Sequence, residues 1–209
     1  MIPLPLSAVL LGLITAALYF GFGQRILDRM RLRGSTAFLI LILMIGGHFL
    51  PTLALGPRLG LNLGAVIPLG VVIYLLATTS ARERKKAALI STLTAFLVLL
   101  TDKALPPDPG FLDPVFSGGL FAGILAYLGD RSRRGAFIAG ILGILLADLI
   151  VLLEISAGDI PQQFIIGSGG VFSGLVISPF LAVILAEGIG EIRERIKRSA
   201  LKQGGNEND

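Results

Sequence analysis

Cysteine is absent from the 209-residue chain, which rules out disulfides, thiolate metal sites and cysteine nucleophiles. Histidine occurs once, as His48, so one chain cannot build a histidine-based metal site. Charge is also scarce. Asp, Glu, Lys and Arg make up 15% of the residues, against 54% hydrophobic, and the mean hydropathy is +0.83. Those values exclude an ordinary soluble domain and indicate an integral membrane protein with several long apolar runs. The glycine-rich stretch Gly167 to Gly174 lacks the Gly-Lys-Ser/Thr ending that a nucleotide-binding loop requires. Ser168 and Ser173 have no histidine base nearby in sequence, so hydrolase chemistry is weak as well. No cofactor is expected, and an enzymatic role is disfavoured.

What the chain does contain is a succession of apolar segments, each approaching the roughly 20 residues needed to cross a ~30 Å hydrocarbon core. Seven are read, giving an all-α, polytopic transmembrane helix bundle. They run at about Leu4 to Phe22, Ser35 to Leu55, Leu61 to Thr79, Ala87 to Leu105, Asp113 to Leu128, Gly135 to Leu153 and Ile165 to Ala186. The first lacks a basic leader and a small-residue cleavage site, and is expected to be a retained anchor. The transmembrane domain is expected to span residues 1–190. A charged cytoplasmic tail follows at 191–209, partly disordered but carrying the i,i+4 pairs Glu191/Arg195 and Glu194/Arg198 that would extend a helix.

The net charge of +4 is distributed as topology rather than as a nucleic-acid surface. Sixteen of the eighteen Lys and Arg residues fall in alternate loops and the tail. Only Arg58 and Lys103 fall on the other side. The positive-inside rule then puts the N-terminus outside and the C-terminus in the cytoplasm, a parity that seven spans satisfy. The bilayer is the expected partner, with a small solute or cation as ligand, and self-association is left open.

Polar residues inside apolar segments are the candidates for function, because burying them in lipid is costly. Counting 1.5 Å per residue from the cytoplasmic start of each ascending segment puts His48, Asp102 and Asp148 all about 20 Å up. Asn62, Ser168 and Ser173 enter from the outside and reach the same layer. The expectation is an outward-facing polar pocket, with Asp102 and Asp148 as cation or proton ligands and Lys103 as a counter-charge. Gly167, Gly169, Gly170 and Gly174 are expected to pack against another helix, since small residues let backbones approach closely. A parallel duplication is also suggested, because Gly64-Ala65-Val66-Ile67-Pro68 is similar to Gly174-Leu175-Val176-Ile177-Ser178-Pro179.

Three stretches together resemble a known family: Asn62 to Leu69, Ala147-Asp148-Leu149, and Ile166 to Gly174. The resemblance covers roughly Leu55 to Ala186 and is to a prokaryotic multipass family catalogued as domain of unknown function 1614. It implies the membrane class and the motif positions, and brings no activity with it. In the family pattern an aspartate precedes the final glycine where this chain has Ser173.

Two further functional readings accompany the transporter-like one. A non-enzymatic membrane scaffold or assembly factor would use the basic loops and tail to hold partners or anionic lipid. An intramembrane aspartyl protease would need two carboxylates nearly in contact. Asp130 sits at the cytoplasmic end of its segment, about 20 Å below Asp148, so that pair is too far apart. A dyad of Asp102 with Asp148 is scarcely better.

Overall fold

The computed structural model describes residues 28, 30–47, 50–56, 59–104, 114–158, 164–166 and 174–205. Six α-helices and a three-stranded sheet occupy them. The helices are α1 (Gly34–Gly46), α2 (Val66–Ala77), α3 (Ala81–Ala104), α4 (Pro114–Asp130), α5 (Arg133–Ala157) and α6 (Gly174–Gly205). The strands are β1 (Thr52–Ala54), β2 (Leu59–Asn62) and β3 (Phe164–Ile166). By length and composition α3, α5 and α6 can each cross a bilayer, and the chain reads as a membrane protein. The expected first segment, Leu4 to Phe22, lies outside the described residues.

Local sequence sets the helix starts. Ser80 caps α3: its Oγ accepts from the Glu83 amide at 3.4 Å and donates to the Glu83 carboxylate at 3.1 Å. α3 therefore begins at Ala81, six residues before the expected start, and the basic loop around Arg82 to Lys86 is helical. Ser132 caps α5 in the same way, accepting from the Gly135 amide at 3.0 Å.

α5 is the central helix, packing against α3, α4, α6 and α2. From Arg133 to Ile141 each residue is buried, so this part of the helix is surrounded by protein on all sides. Small residues make such close packing feasible. A Cβ on Gly140 would stand 2.6 Å from the Pro179 Cα of α6, and one on Gly143 would stand 2.6 Å from Thr94 Cγ2 of α3. On α4, Gly119 and Gly123 face Ser178, Leu181 and Ala182 of α6 at comparable distances.

Three expected spans are shorter than the hydropathy implied. α1 stops at Gly46 rather than Leu55, since Gly46-Gly47 and Pro51 end the helix and β1 follows. α2 starts at Val66, behind β2 and a 3-10 turn at Leu63–Ala65. α6 starts at Gly174 rather than Ile165, because Phe164–Ile166 is strand. β1 pairs antiparallel with β2 and β2 pairs parallel with β3, in register Leu59↔Phe164, Gly60↔Ile165 and Leu61↔Ile166. Strands rich in Leu and Ile have the same hydropathy as helix, which is why the sequence reading merged them into spans. The tail, by contrast, continues α6 without a break through Gly205, with Glu191–Arg195 at 3.2 Å and Glu194–Arg198 at 3.6 Å.

Candidate functional site

Two ends of the bundle are chemically distinct. At one end, Arg31 pairs with Glu83 at 3.3 Å, Arg133 with Glu187 at 2.7 Å, and Arg134 donates to the Leu75 carbonyl at 2.8 Å and to Thr78 Oγ1. Arg134 is buried, and it caps the carbonyl end of α2, where a cation complements the helix dipole. This basic end thus collects the loops that the charge count assigned to one side. At the other end Lys103 pairs with Glu154, both partners about half exposed.

The Arg134–Leu75 bond fixes the register of α5 against α2. Asp148 lies fourteen residues beyond Arg134, about 21 Å along the axis, and Leu63 lies twelve residues before Leu75, about 18 Å. A second register mark agrees. Gly174, the first residue of α6, lies close enough that a Cβ there would sit 3.1 Å from Ile144 Cγ2, and Ile144 is one helical turn below Asp148. Asp148 therefore lies near the level of the β2-to-α2 junction and about one helical turn beyond the first residue of α6. Its side chain is half-buried and makes no hydrogen bond or ion pair among the described residues.

The remaining sequence candidates divide. Asn62 is buried at the end of β2, but its hydrogen bonds are local. Its Oδ1 accepts from the Gly64 amide at 2.7 Å, and its Nδ2 donates to Thr52 Oγ1 at 3.3 Å. It closes the 3-10 turn, which also depends on Gly64: a Cβ there would stand 2.4 Å from the Gly47 carbonyl oxygen. Asp102 does not share the layer of Asp148. With α3 starting at Ala81, Asp102 is twenty-one residues along it, about 32 Å, and its side chain is exposed. Lys103 is engaged by Glu154 and does not serve as counter-charge to either aspartate. His48, Ser168, Ser173, Gly167, Gly169 and Gly170 lie outside the described residues. Gly174 is a packing glycine, against Ile144.

Sequence reasoning passed over several residues. Thr94 is fully buried on α3 against Gly143, and its hydroxyl has no hydrogen-bond partner among the described residues. The Arg133–Glu187 pair and the Arg134 cap were read only as positive-inside charge. For the α4 glycines a signal was available: Gly119-Leu120-Phe121-Ala122-Gly123 is a small-xxx-small motif. A cavity of about 130 Å³ lies on the sheet, lined by Thr52, Ala54, Gly56, Leu59, Gly60 and Ile165. Asp148 does not line it. Among the described residues no group of three or more His, Asp or Glu side chains could hold a metal ion.

The family described as "Protein of unknown function (DUF1614)" matches residues 56–185, from the β1–β2 turn to the inner part of α6. The chain belongs to that family, DUF1614. The matched stretch takes in β2, β3, all of α2 to α5 and the start of α6, and with them Asp148; β1 precedes it. No curated protein and no solved structure matches the chain.

Proposed function

We propose that the protein is a permease-like membrane protein that admits a small solute or cation to a polar niche beside Asp148. The observation that carries this reading is the position of non-helical backbone. β2 gives way to α2, and α6 begins at Gly174, about 15 to 20 Å from the basic end, whereas α3 and α5 continue to about 36 Å. Irregular backbone at that depth is stable only where protein buries it or where it lines a water-filled cavity. All three β1 residues are exposed, and beside this layer stands a carboxylate with no hydrogen-bond or ion-pair partner among the described residues. Water reaching the niche satisfies both. Transporter sites characteristically form where helices break near mid-membrane.

The orientation follows the charge count: the basic end is cytoplasmic and the niche opens outward, so reporter fusions after Arg33, Lys86, Arg134 and Lys202 should all report cytoplasm. The paired β2–α2 and β3–α6 units support a parallel duplication, because their strands run side by side in the same direction. The functional test is flux. Liposomes containing wild-type protein should dissipate an imposed proton or alkali-cation gradient faster than protein-free liposomes, and Asp148→Asn should cut that excess at least tenfold. Equal flux for wild type and Asp148→Asn would refute Asp148 as the ligand.

A further inference from the structure

A second site lies at the basic end and is independent of the niche beside Asp148. Where α4 turns into α5, a cavity of about 320 Å³ opens against α6, lined by Tyr127, Arg131, Arg133, Gly190, Arg193, Glu194 and Lys197. That volume is at the lower end of the range of small-molecule sites, about 300 to 1,000 Å³. Four of the lining residues are cationic and one is acidic. Glu194 is already paired with Arg198, and among the described residues Arg131, Arg193 and Lys197 have no carboxylate partner.

The geometry holds this positive charge in place. Arg133 is buried, with Nε on Glu187 at 2.7 Å and Nη1 on the Arg131 carbonyl at 2.6 Å. Its Nη2 packs over Gly190, where a Cβ would stand 2.3 Å away, and makes no hydrogen bond among the described residues. Arg131 occupies a left-handed backbone position, φ 50°, at the end of α4, with its amide on the Tyr127 carbonyl at 3.2 Å. Glycine is the usual occupant of such a helix end, and a side chain there costs about 1 to 2 kcal/mol. The fixed guanidinium groups favour an oxyanion.

We infer that this cavity binds the phosphate of an anionic phospholipid headgroup at the cytoplasmic membrane surface. The shared chemistry is that of any phosphate, and the surroundings favour lipid. Leu128, Ile192 and Ile196 are 74%, 60% and 65% exposed beside the basic residues. Ile192 and Ile196 are spaced i,i+4 on α6 beside Arg193, Arg195 and Lys197, the pattern of a helix whose exposed apolar residues meet acyl chains while its cations meet headgroups.

The test measures binding of short-chain phosphatidylglycerol, phosphatidylcholine and inorganic phosphate to the full-length protein in neutral detergent. Wild type should prefer phosphatidylglycerol to phosphatidylcholine by tenfold or more. Arg193→Gln with Lys197→Gln should lose roughly tenfold of the phosphatidylglycerol affinity, since each basic residue at the surface contributes a several-fold effect. Both side chains are exposed, so the fold should survive the change. Arg82→Gln with Lys85→Gln removes the same charge from an exposed part of α3 and should leave the affinity within twofold. Equal losses in the two double variants would overturn the site, reducing it to general charge attraction. Inorganic phosphate displacing the lipid at equal concentration would overturn the assignment to lipid.

Discussion

Replacing Gly140 by alanine adds one methyl group at the point where α5 crosses α6. The new Cβ would meet Pro179 Cα at 2.6 Å, Pro179 N at 2.8 Å and the Ser178 carbonyl carbon at 3.0 Å. All three are backbone atoms, so no side-chain rotation relieves the contact and the helices must separate. Overpacking of this kind costs about 1 to 3 kcal/mol. Against it stands the gain of alanine over glycine in a helix, about 1 kcal/mol. Gly188 on α6 supplies the control, with nothing within 4 Å of its notional Cβ, so only the helix gain operates there. The two substitutions should therefore differ in stability by the overpacking cost, which detergent thermal-unfolding scans resolve at about 2 to 4 °C per kcal/mol for a chain of this size. Gly140→Ala should lower the midpoint, and Gly188→Ala should leave it level or raise it. A Gly140→Ala protein as stable as the Gly188→Ala protein would refute the close crossing of α5 and α6.

Arg134→Gln should destabilise the protein by about 2 to 4 kcal/mol, because a buried charge-assisted bond contributes about 1.5 to 3 kcal/mol and the α2 carbonyl end loses its cation. A change below 0.5 kcal/mol in the same thermal scan would show that the contact with Leu75 contributes nothing. For Arg133 and Glu187, whose side chains are 6% and 15% exposed, removing either partner alone should cost about 3 to 5 kcal/mol. The double variant should cost clearly less than the two singles together, and strict additivity in that mutant cycle would contradict a coupled pair.

The bundle was legible in the sequence to the extent that apolar length and charge asymmetry encode it. The loops expected on one side do meet there, through Arg31–Glu83, Arg133–Glu187 and Arg134–Thr78. Hydropathy could not separate Leu59–Asn62 and Phe164–Ile166 from helix, because a short apolar strand and a piece of apolar helix have the same composition. That confusion spread to the site. Counting depth from Ala87 instead of the capped start at Ala81 put Asp102 level with Asp148, although the capping pattern of Ser80 and Glu83 was there to be read. Asp148 itself needed no such count, since a lone aspartate between Ala147 and Leu149 stands out in any register. Asn62 was expected in the pocket layer, and an isolated polar residue carries no sign that its bonds will be made to Gly64 and Thr52.

The central claim is that water reaches Asp148 from the outer face while the residues one and two turns below it stay sealed. The chain contains no cysteine, so the natural protein is already a clean background for thiol labelling. Single cysteines at Asp148, at the fully buried Ile141 and at Phe96, 60% exposed on the apolar surface of α3, would be treated in intact cells with a membrane-impermeant maleimide. Only a thiol in water forms the reactive thiolate. Asp148→Cys should label readily, and Ile141→Cys and Phe96→Cys should label only after solubilisation in denaturing detergent. An Asp148→Cys protein that stays as unreactive as the Phe96→Cys protein would place Asp148 in lipid or sealed protein and contradict the proposed niche.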